Sequence, residues 1–295
     1  MLKAIVMAFS FYTRLPMPYI KKPGKSMKYI LSWFPMTGVI LGMLQILVLW
    51  ALQYLSLPSL FVAVMVSVFP IIYTGGIHVD GFMDTTDALR SYKSKEDKIK
   101  IMDDPHSGAF SIIALAIYLL VCIALYYLIA VRMIAFNAAD SAAIMILMGT
   151  IFVMSRSLSS LTCYILPKAK NSGMLYDITD GAWSDDVAKK DGEKETVQTA
   201  GMNKDAKCNK RLMGSCIIPA LFLCTCAAIQ IYAIPVAGIV NLTFQALLYI
   251  YYRSMCVKQF GGLTGDTAGW YLCKSEAAGL FSIALYLVLN TTITI

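Results

Sequence analysis

Charged residues are scarce in this sequence. They make up only 15% of its 295 residues, whereas hydrophobic residues make up 58%, and the mean hydropathy is +0.65. Soluble domains are about one quarter charged, so the composition excludes an ordinary soluble enzyme and indicates a polytopic membrane protein. No small-residue cleavage site follows the first apolar stretch, which suits an interfacial or re-entrant segment rather than a secretory signal peptide.

Several catalytic signatures are also absent. The sequence has no Walker motif, no HExxH or CxxC pair and no nucleophile elbow, and its only histidines are His78 and His106. The eight cysteines lie mostly in or beside apolar runs, which favours free thiols that pack as small hydrophobic side chains over a disulfide or zinc framework. The remaining candidates for chemistry are carboxylates and glycine-rich segments.

Long apolar runs predict the fold class. A bilayer core of ~30 Å takes ~20 mostly apolar residues per helix. Seven segments of the chain meet this requirement: 31–54, 57–73, 109–131, 138–154, 212–232, 235–252 and 277–294. We therefore predict an all-α polytopic integral membrane protein with about seven transmembrane helices, folded as a single domain over residues 1–295.

Basic residues predict the orientation of these spans. All Lys and Arg residues except Arg132 fall before the first span or in three polar stretches, 74–108, 155–211 and 253–276. The positive-inside rule then places the N-terminus and the three stretches in the cytoplasm. The lysines before the first span suit contact with anionic lipids of the bilayer, so the net charge of +7 requires no nucleic-acid partner.

The second polar stretch divides into two parts. Residues 168–211 are rich in charges of both signs and poor in apolar residues, which predicts a flexible cytoplasmic loop. Residues 156–167 can instead continue the fourth span as a helix.

Three carboxylates follow the second apolar run closely. Asp80, Asp84 and Asp87 lie on one face if residues 79–89 are helical, because positions i, i+4 and i+7 are neighbours on a helix surface. Like charges there repel one another unless a cation neutralises them. Mg²⁺ takes oxygen ligands, commonly carboxylates together with water and substrate phosphate. The spacing therefore favours an Mg²⁺ site over a merely solvated acidic loop.

Small residues and a histidine surround these carboxylates. Gly75, Gly76 and Gly81 let backbone amides approach a phosphate, although glycine also permits close helix packing. His78 precedes Asp80 by two residues and is a catalytic candidate, with a purely structural histidine as the alternative.

A second polar motif, IMDDPHSGAF (101–110), stands just before the third span. Asp103 and Asp104 can supply further ligands, and Asp104 is a candidate general base that competes with Asp87. His106 is a candidate phosphate contact. The alternative is a helix-capping turn in which an Asp takes the N-cap position.

A third motif, KQFGGLTGDTAGWYLCK (258–274), is dense in glycine. Its candidate phosphate contacts are Gly262, Thr264, Gly265 and Asp266, with helix packing through small residues as the alternative. Arg156 can pair with a phosphate, or it is an interfacial arginine. Acidic clusters, glycine-rich segments and a few cations together favour metal-assisted attack on a phosphate or diphosphate.

These motifs resemble the cobalamin synthase family of adenosylcobinamide-GDP ribazoletransferases. The matching stretches, in family order, are FYTRLPMP (11–18), GGIHVDGFMDTTDAL (75–89), IMDDPHSGAF (101–110), SRSLS (155–159) and GGLTGDTAG (261–269). The resemblance implies an integral enzyme of the bacterial inner membrane that joins adenosylcobinamide-GDP to α-ribazole or its 5′-phosphate. Adenosylcobalamin or its 5′-phosphate and GMP would be released, with Mg²⁺ required.

Some positions depart from the family pattern, and two other functions stay open. Ala88 stands where the family often has Gly, and His106 stands where it often has Arg. One alternative is a CDP-alcohol phospholipid transferase, although its pattern needs Ala-Arg after the Asp-Gly pair. The other is a transporter, which would favour charges near the bilayer midplane. The oligomeric state stays open, with a homo-oligomer as one option.

Overall fold

Helices form nearly all of the regular structure. This computed structural model describes residues 1–21, 24–134, 136–170, 172–181 and 200–293; side chains at 25, 180–181, 200–213 and 291–293 lie outside the description. In chain order the helices are α1 (Leu2–Tyr12), α2 (Phe34–Tyr54), α3 (Ser59–Thr74), α4 (Ile77–Arg90), α5 (Lys95–Met102), α6 (Ala109–Met133), α7 (Ala138–Ile165), α8 (Met174–Tyr176), α9 (Ala200–Ala233), α10 (Pro235–Phe260) and α11 (Gly265–Ile293). Within the described residues, the one isolated β-bridge joins Lys168 and Leu263.

Six helical segments in the described part are long and apolar enough to cross a membrane. They are Ser26–Tyr54, Ala109–Met133, Ala138–Ile165, Gly214–Ala233, Pro235–Phe260 and Gly265–Asn290. Helices α3 and α4 together form a seventh candidate that is bent by 94°. We take α3 as its spanning half, because α4 carries three carboxylates and departs from the direction of α3 by 94°. The prediction of an all-α polytopic membrane protein with about seven spans is confirmed.

The ends of several spans differ from the prediction. Helix α7 runs to Ile165, which confirms that most of 156–167 continues the fourth span. Helix α10 runs to Phe260 and α11 begins at Gly265, so the prediction of a long polar loop over 253–276 is wrong. Only residues 261–264 connect these two helices, because most of the stretch consists of small or aromatic residues that are buried in helices.

Helix α7 lies at the centre of the bundle, against α2, α9 and α11. Glycines allow its backbone to approach α2 closely, since a Cβ built on Gly42 would lie only 2.5 Å from the carbonyl oxygen of Gly149. Buried amides add polar contacts, in which Gln230 donates to Thr150 at 2.9 Å and Asn241 donates to Gln230 at 2.8 Å. The seven cysteines with described side chains are free thiols, as predicted.

The described start of the predicted flexible loop is structured. Leu263 donates its N–H to Pro167 at 2.8 Å, and Ala169 donates its N–H to Leu263 at 2.9 Å. Helix α8 and a π-helical turn over Asp177–Gly181 follow. These contacts fasten residues 167–169 to the α10–α11 connection, and residues 200–211 belong to α9. The flexible-loop interpretation is therefore wrong for these parts, whereas residues 171 and 182–199 of that prediction lie outside the described residues.

We expect Gly42→Ala to destabilise the protein, because the added Cβ meets the Gly149 carbonyl and the two backbones must separate. Overpacking of this kind typically costs about 1–3 kcal/mol. The matched control is Gly214→Ala, a helical position where an added Cβ has nothing within 4 Å. A thermal melt of the purified protein in detergent should show a lower midpoint for Gly42→Ala alone; equal midpoints would contradict the close crossing.

Candidate active site

Two glycines produce the bend that sets the direction of α4. Gly75 and Gly76 have φ angles of 67° and 82°, a left-handed conformation that glycine adopts without steric cost. Their N–H groups donate to Ile72 and Ile71 at 3.2 and 2.9 Å, which caps the end of α3. The prediction that these two amides hold phosphate is therefore contradicted, because both are already used within the fold.

Helix α4 crosses the beginning of α11 at very short range. A Cβ on Gly81 would lie 2.8 Å from the backbone of Asp266, and a Cβ on Gly269 would lie 2.8 Å from the carbonyl oxygen of His78. Gly81 therefore permits helix packing, which was the alternative to its predicted phosphate contact. The crossing brings the carboxylate of Asp266 to those of α4.

Four carboxylates form a like-charged group at this crossing. Asp84, which is about half buried, has a pKa raised to about 7 by desolvation and by the charges of Asp80, Asp266 and Asp87. Asp80, Asp84 and Asp87 share one face of α4, as the predicted helix over 79–89 requires. Asp266 joins them from another helix, which turns a local acidic run into a cluster built by the fold.

The donor chemistry of this group suits Mg²⁺, although no complete cage is formed. Within the described residues, no group of three His, Cys, Asp or Glu side chains is close enough to hold a metal by itself. Mg²⁺ commonly uses one or two carboxylates and completes its shell with water and substrate phosphate. The mutual repulsion that raises the pKa of Asp84 is the feature a divalent cation would relieve.

Asp87 lies at the far end of this face, beside the start of α6. A Cβ on Gly108 would lie 2.3 Å from both carboxylate oxygens of Asp87, so only glycine leaves room for that side chain. Gly108 is the N-cap of α6. The positive end of the α6 dipole therefore faces the Asp87 carboxylate.

A cavity of about 270 Å³ opens next to the carboxylates. Its polar lining residues are Tyr12, His78, Asp80, Ser159, Lys168, Lys170, Ser172, Tyr176, Thr264 and Asp266. The carboxylate cluster meets the cavity at Asp80 and Asp266, whereas Asp84 and Asp87 lie outside its lining. Acidic and basic groups thus face the same small volume.

His78 is a buried member of the cavity lining. It is only 8% exposed, packs beside the neighbouring rings of Tyr12 and Phe34, and its Nε2 has no hydrogen-bond partner. Burial, reinforced by the charge of Arg156, holds its pKa well below the ordinary value. His78 is therefore a neutral imidazole at pH 7 with a free ring nitrogen.

The motif at 101–110 contributes a different aspartate from the one predicted. Asp104 accepts a hydrogen bond from the His106 backbone and lies 2.8 Å from its ring, while both side chains are more than half exposed. Neither lines the cavity. The helix-capping alternative is wrong as well, because Gly108 and not an aspartate is the N-cap of α6. Asp103 instead pairs with Lys170, which does line the cavity.

Part of the predicted phosphate-binding motif lies at the N-terminus of α11, where it lines the cavity. The Thr264 hydroxyl accepts the Thr267 N–H at 3.1 Å, which caps the helix, and Thr264, Gly265 and Asp266 line the cavity. The N-terminus of a helix favours anions. Gly262 does not share this place: its N–H donates to Cys256, and a Cβ there would strike the Pro167 carbonyl.

Arg156 does not line the cavity but is buried in the helix bundle. Its Nη1 donates to Glu276 at 2.7 Å and to the Phe152 carbonyl at 3.0 Å, and the side chain is 1% exposed. The interpretation of Arg156 as a phosphate contact is therefore contradicted by its burial and its pairing. It stabilises the bundle below His78 and lowers the pKa of that imidazole.

Sequence reasoning missed the cations of the site. Lys168 and Lys170 were assigned to a flexible loop, and Tyr12 to an interfacial segment, yet all three line the cavity. The only local signal was the placement of two lysines directly after the fourth span. The pairing of Lys168 with Leu263 across the fold had no signature in the sequence.

These features define a polytopic membrane protein that brings carboxylates, lysines and a helix N-terminus together around a cavity. The chain matches the cobalamin-5-phosphate synthase family over residues 4–284, and it belongs to that family. This family membership confirms the resemblance drawn from the motifs and decides against the CDP-alcohol transferase and transporter alternatives.

Curated relatives cover almost the whole chain. A protein of Lachnoclostridium phytofermentans named adenosylcobinamide-GDP ribazoletransferase is 30% identical over 95% of this chain and 92% of its own length. Relatives with the same name in Clostridium botulinum (strain Alaska E43) and Fusobacterium nucleatum are 27% and 28% identical, over 96% and 98% of this chain and 98% and 99% of theirs. No solved structure matches the chain.

We expect Asp84→Asn to stabilise the metal-free protein at pH 7.5. Because the pKa of Asp84 is raised to about 7, the folded state binds its proton more tightly than the unfolded chain between pH 3.8 and 7. The free energy of unfolding therefore falls as pH rises through that window. The Asp84→Asn side chain cannot ionise, so the variant does not lose this stability. Melting in EDTA should show a midpoint raised by roughly 1–3 °C.

Added Mg²⁺ should then raise the midpoint of the unsubstituted protein but not that of Asp84→Asn. The control is Asp97→Asn. Hydrogen bonds from Lys100 and Ser94 lower the pKa of the Asp97 carboxyl, so replacing this carboxylate with an amide should lower the melting midpoint. A lower midpoint for Asp84→Asn in EDTA would show that the carboxylate is not repelled in the folded protein.

Proposed function

We propose that this protein is an adenosylcobinamide-GDP ribazoletransferase. A ribose hydroxyl of α-ribazole, or of its 5′-phosphate, attacks the phosphate that is linked to cobinamide. A new oxygen–phosphorus bond forms, the diphosphate bond breaks, and GMP leaves. The products are adenosylcobalamin or its 5′-phosphate and GMP.

One observation supports this chemistry most directly. The cavity brings Asp80 and Asp266 together with Lys168, Lys170 and the N-terminus of α11. A diphosphate needs cationic or amide donors for its oxygens, and a divalent cation needs carboxylates beside them. The arrangement offers both kinds of partner to one ligand, and the relatives named above share the family.

One or two of the carboxylates of Asp80, Asp84 and Asp266 would hold Mg²⁺, with water and substrate phosphate completing its shell, since no three of them lie close enough to bind it alone. Asp87 would support the ion from the next turn of α4. When bound, the ion neutralises the diphosphate and stabilises the negative charge that develops on the leaving GMP. The aspartates position that charge on the side of the cavity where α4 and α11 cross.

The two lysines and the helix N-terminus would hold the phosphates. Lys170 keeps its place through its pair with Asp103, and Lys168 through its hydrogen bond to the Leu166 carbonyl at 2.8 Å. The α11 N-terminus adds the positive end of a helix dipole. These groups would orient the diphosphate for attack by the ribose hydroxyl. A misplaced diphosphate would react more slowly.

His78 is the candidate that the geometry favours as general base. The residue lines the cavity and its buried Nε2 has no hydrogen-bond partner, so the neutral imidazole would accept the proton of the attacking hydroxyl. Asp87 remains the alternative, because it belongs to the carboxylate cluster but not to the cavity lining. Asp104 is exposed and paired with His106, which leaves it without access to the cavity.

The proposed orientation in the membrane rests on the distribution of basic residues. The motif-bearing end of the bundle would face the bacterial cytoplasm, in the inner membrane, where nucleotide-linked substrates are made. The distribution of lysine and arginine supports this orientation, since only Arg132 lies at the other end. The protein would thus stay in contact with the bilayer, and the soluble nucleotide end of the substrate would enter the site from the cytoplasm.

We expect Asp84→Asn and Asp266→Asn each to lower GMP release from adenosylcobinamide-GDP and α-ribazole by at least roughly a hundredfold at saturating Mg²⁺, because each removes charge from the cation site. The matched control is Asp104→Asn, which should keep near-normal turnover. An equal loss in Asp104→Asn, or none in Asp266→Asn, would contradict the assignment.

We expect His78→Phe to lower kcat by about 10²–10⁴-fold while KM changes little, because the ring packing is kept and the proton acceptor is lost. A structural role would instead lower the melting midpoint or raise KM. Steady-state kinetics on the purified protein, with a thermal melt of the same sample, separates these outcomes. Normal kcat would move the role of base to Asp87.

A further inference from the structure

A second, larger concavity lies on the other side of α4. It has a volume of about 980 Å³ and is bounded by α4, α5, α6, α10 and α11. We call it the basic groove and define it by its cations and the aromatic side chains around them. The cations are Arg90, Lys98, Lys258 and Lys274, and the aromatic side chains are Phe82, Tyr92, Phe110, Tyr118, Tyr251 and Trp270. None of the described residues that line it is acidic.

The cations of the groove come from four different helices. Arg90 ends α4, Lys98 is on α5, Lys258 is in the last turn of α10 and Lys274 is on α11. Lys98 is buried and bonds Gln259, another lining residue, so its position is fixed. Four positive charges without an acidic neighbour in the lining suit an anionic ligand.

Lys274 is the most informative of these residues. It lies within the apolar segment Gly265–Asn290, where a charged residue is costly and marks a functional contact. Its Nζ stands 5.3 Å from the ring centre of Phe82 and 5.8 Å from that of Trp270. The aromatic rings thus hold the ammonium group at the wall of the groove.

The α6 side of the groove is apolar and faces outward. Phe110, Ile113 and Ile117 are each more than half exposed, and all belong to the membrane-crossing segment Ala109–Met133. In a bilayer these side chains meet acyl chains. The groove therefore joins a basic pocket near the membrane surface to an apolar wall at the depth of the lipid tails.

We propose that the basic groove binds an anionic phospholipid, with its headgroup phosphate among Arg90, Lys258 and Lys274 and its acyl chain along α6. Charge selects the headgroup, and the exposed apolar wall selects a molecule that is already in the bilayer. A corrinoid end of the substrate fits this place less well. Its amides are uncharged, whereas the groove presents four cations.

The test uses the full-length protein in bilayer nanodiscs of phosphatidylcholine with added phosphatidylglycerol, followed by native mass spectrometry of the released protein. We expect phosphatidylglycerol to be retained in preference to phosphatidylcholine. The triple variant Arg90→Gln, Lys258→Gln, Lys274→Gln should lose this retention by more than about tenfold, since each cation near an anionic headgroup contributes roughly fivefold in affinity.

The matched control removes three other exposed lysines that do not line the groove, in Lys93→Gln, Lys95→Gln, Lys100→Gln, and should retain the lipid. The single variants Arg90→Gln and Lys258→Gln keep the test available if the triple variant does not fold. Equal retention in the groove variants, or no preference for phosphatidylglycerol, would overturn the proposal. So would displacement of the lipid by adenosylcobinamide-GDP or by glycerol 3-phosphate.

Discussion

The close crossing of α4 over the start of α11 is the contact on which the site depends. Gly81 and Gly269 let the two backbones approach to distances at which any Cβ would collide. The same crossing brings Asp266 to Asp84 and forces like charges together, as the raised pKa of Asp84 records. Packing must offset that repulsion, because the carboxylates have no paired cation on α4 itself. A divalent cation bound at the crossing would relieve this repulsion.

The sequence predicted those parts of the fold that depend only on residues close together in the chain. Apolar runs of about twenty residues gave the spans, and the spacing of Asp80, Asp84 and Asp87 gave one face of a helix, because both depend only on helical periodicity. The contribution of Asp266 was predicted only as a phosphate contact. Its position in the carboxylate cluster depends on a crossing between helices that are almost two hundred residues apart.

The glycine and arginine predictions failed for a shared reason. A glycine's amide can bind phosphate only if no carbonyl of the fold already accepts its hydrogen, and the sequence does not show which carbonyls do. Gly75, Gly76 and Gly262 each donate within the fold, whereas Gly265 begins a helix at the cavity. Arg156 likewise has a partner, Glu276, that lies 120 positions away in sequence.

Helix α4 separates two environments of opposite charge. Phe82, Thr86 and Leu89 repeat the spacing of the three aspartates two positions later, which places them on the opposite face of the helix. One face therefore belongs to the acidic cluster and the other lines the basic groove. An anionic lipid in that groove would pack against the back of the helix that carries the aspartates. Its headgroup would neutralise cations that otherwise compete with a metal ion for the same helix. With such a lipid bound, α4 would contact the bilayer component on one face and carry the proposed metal site on the other.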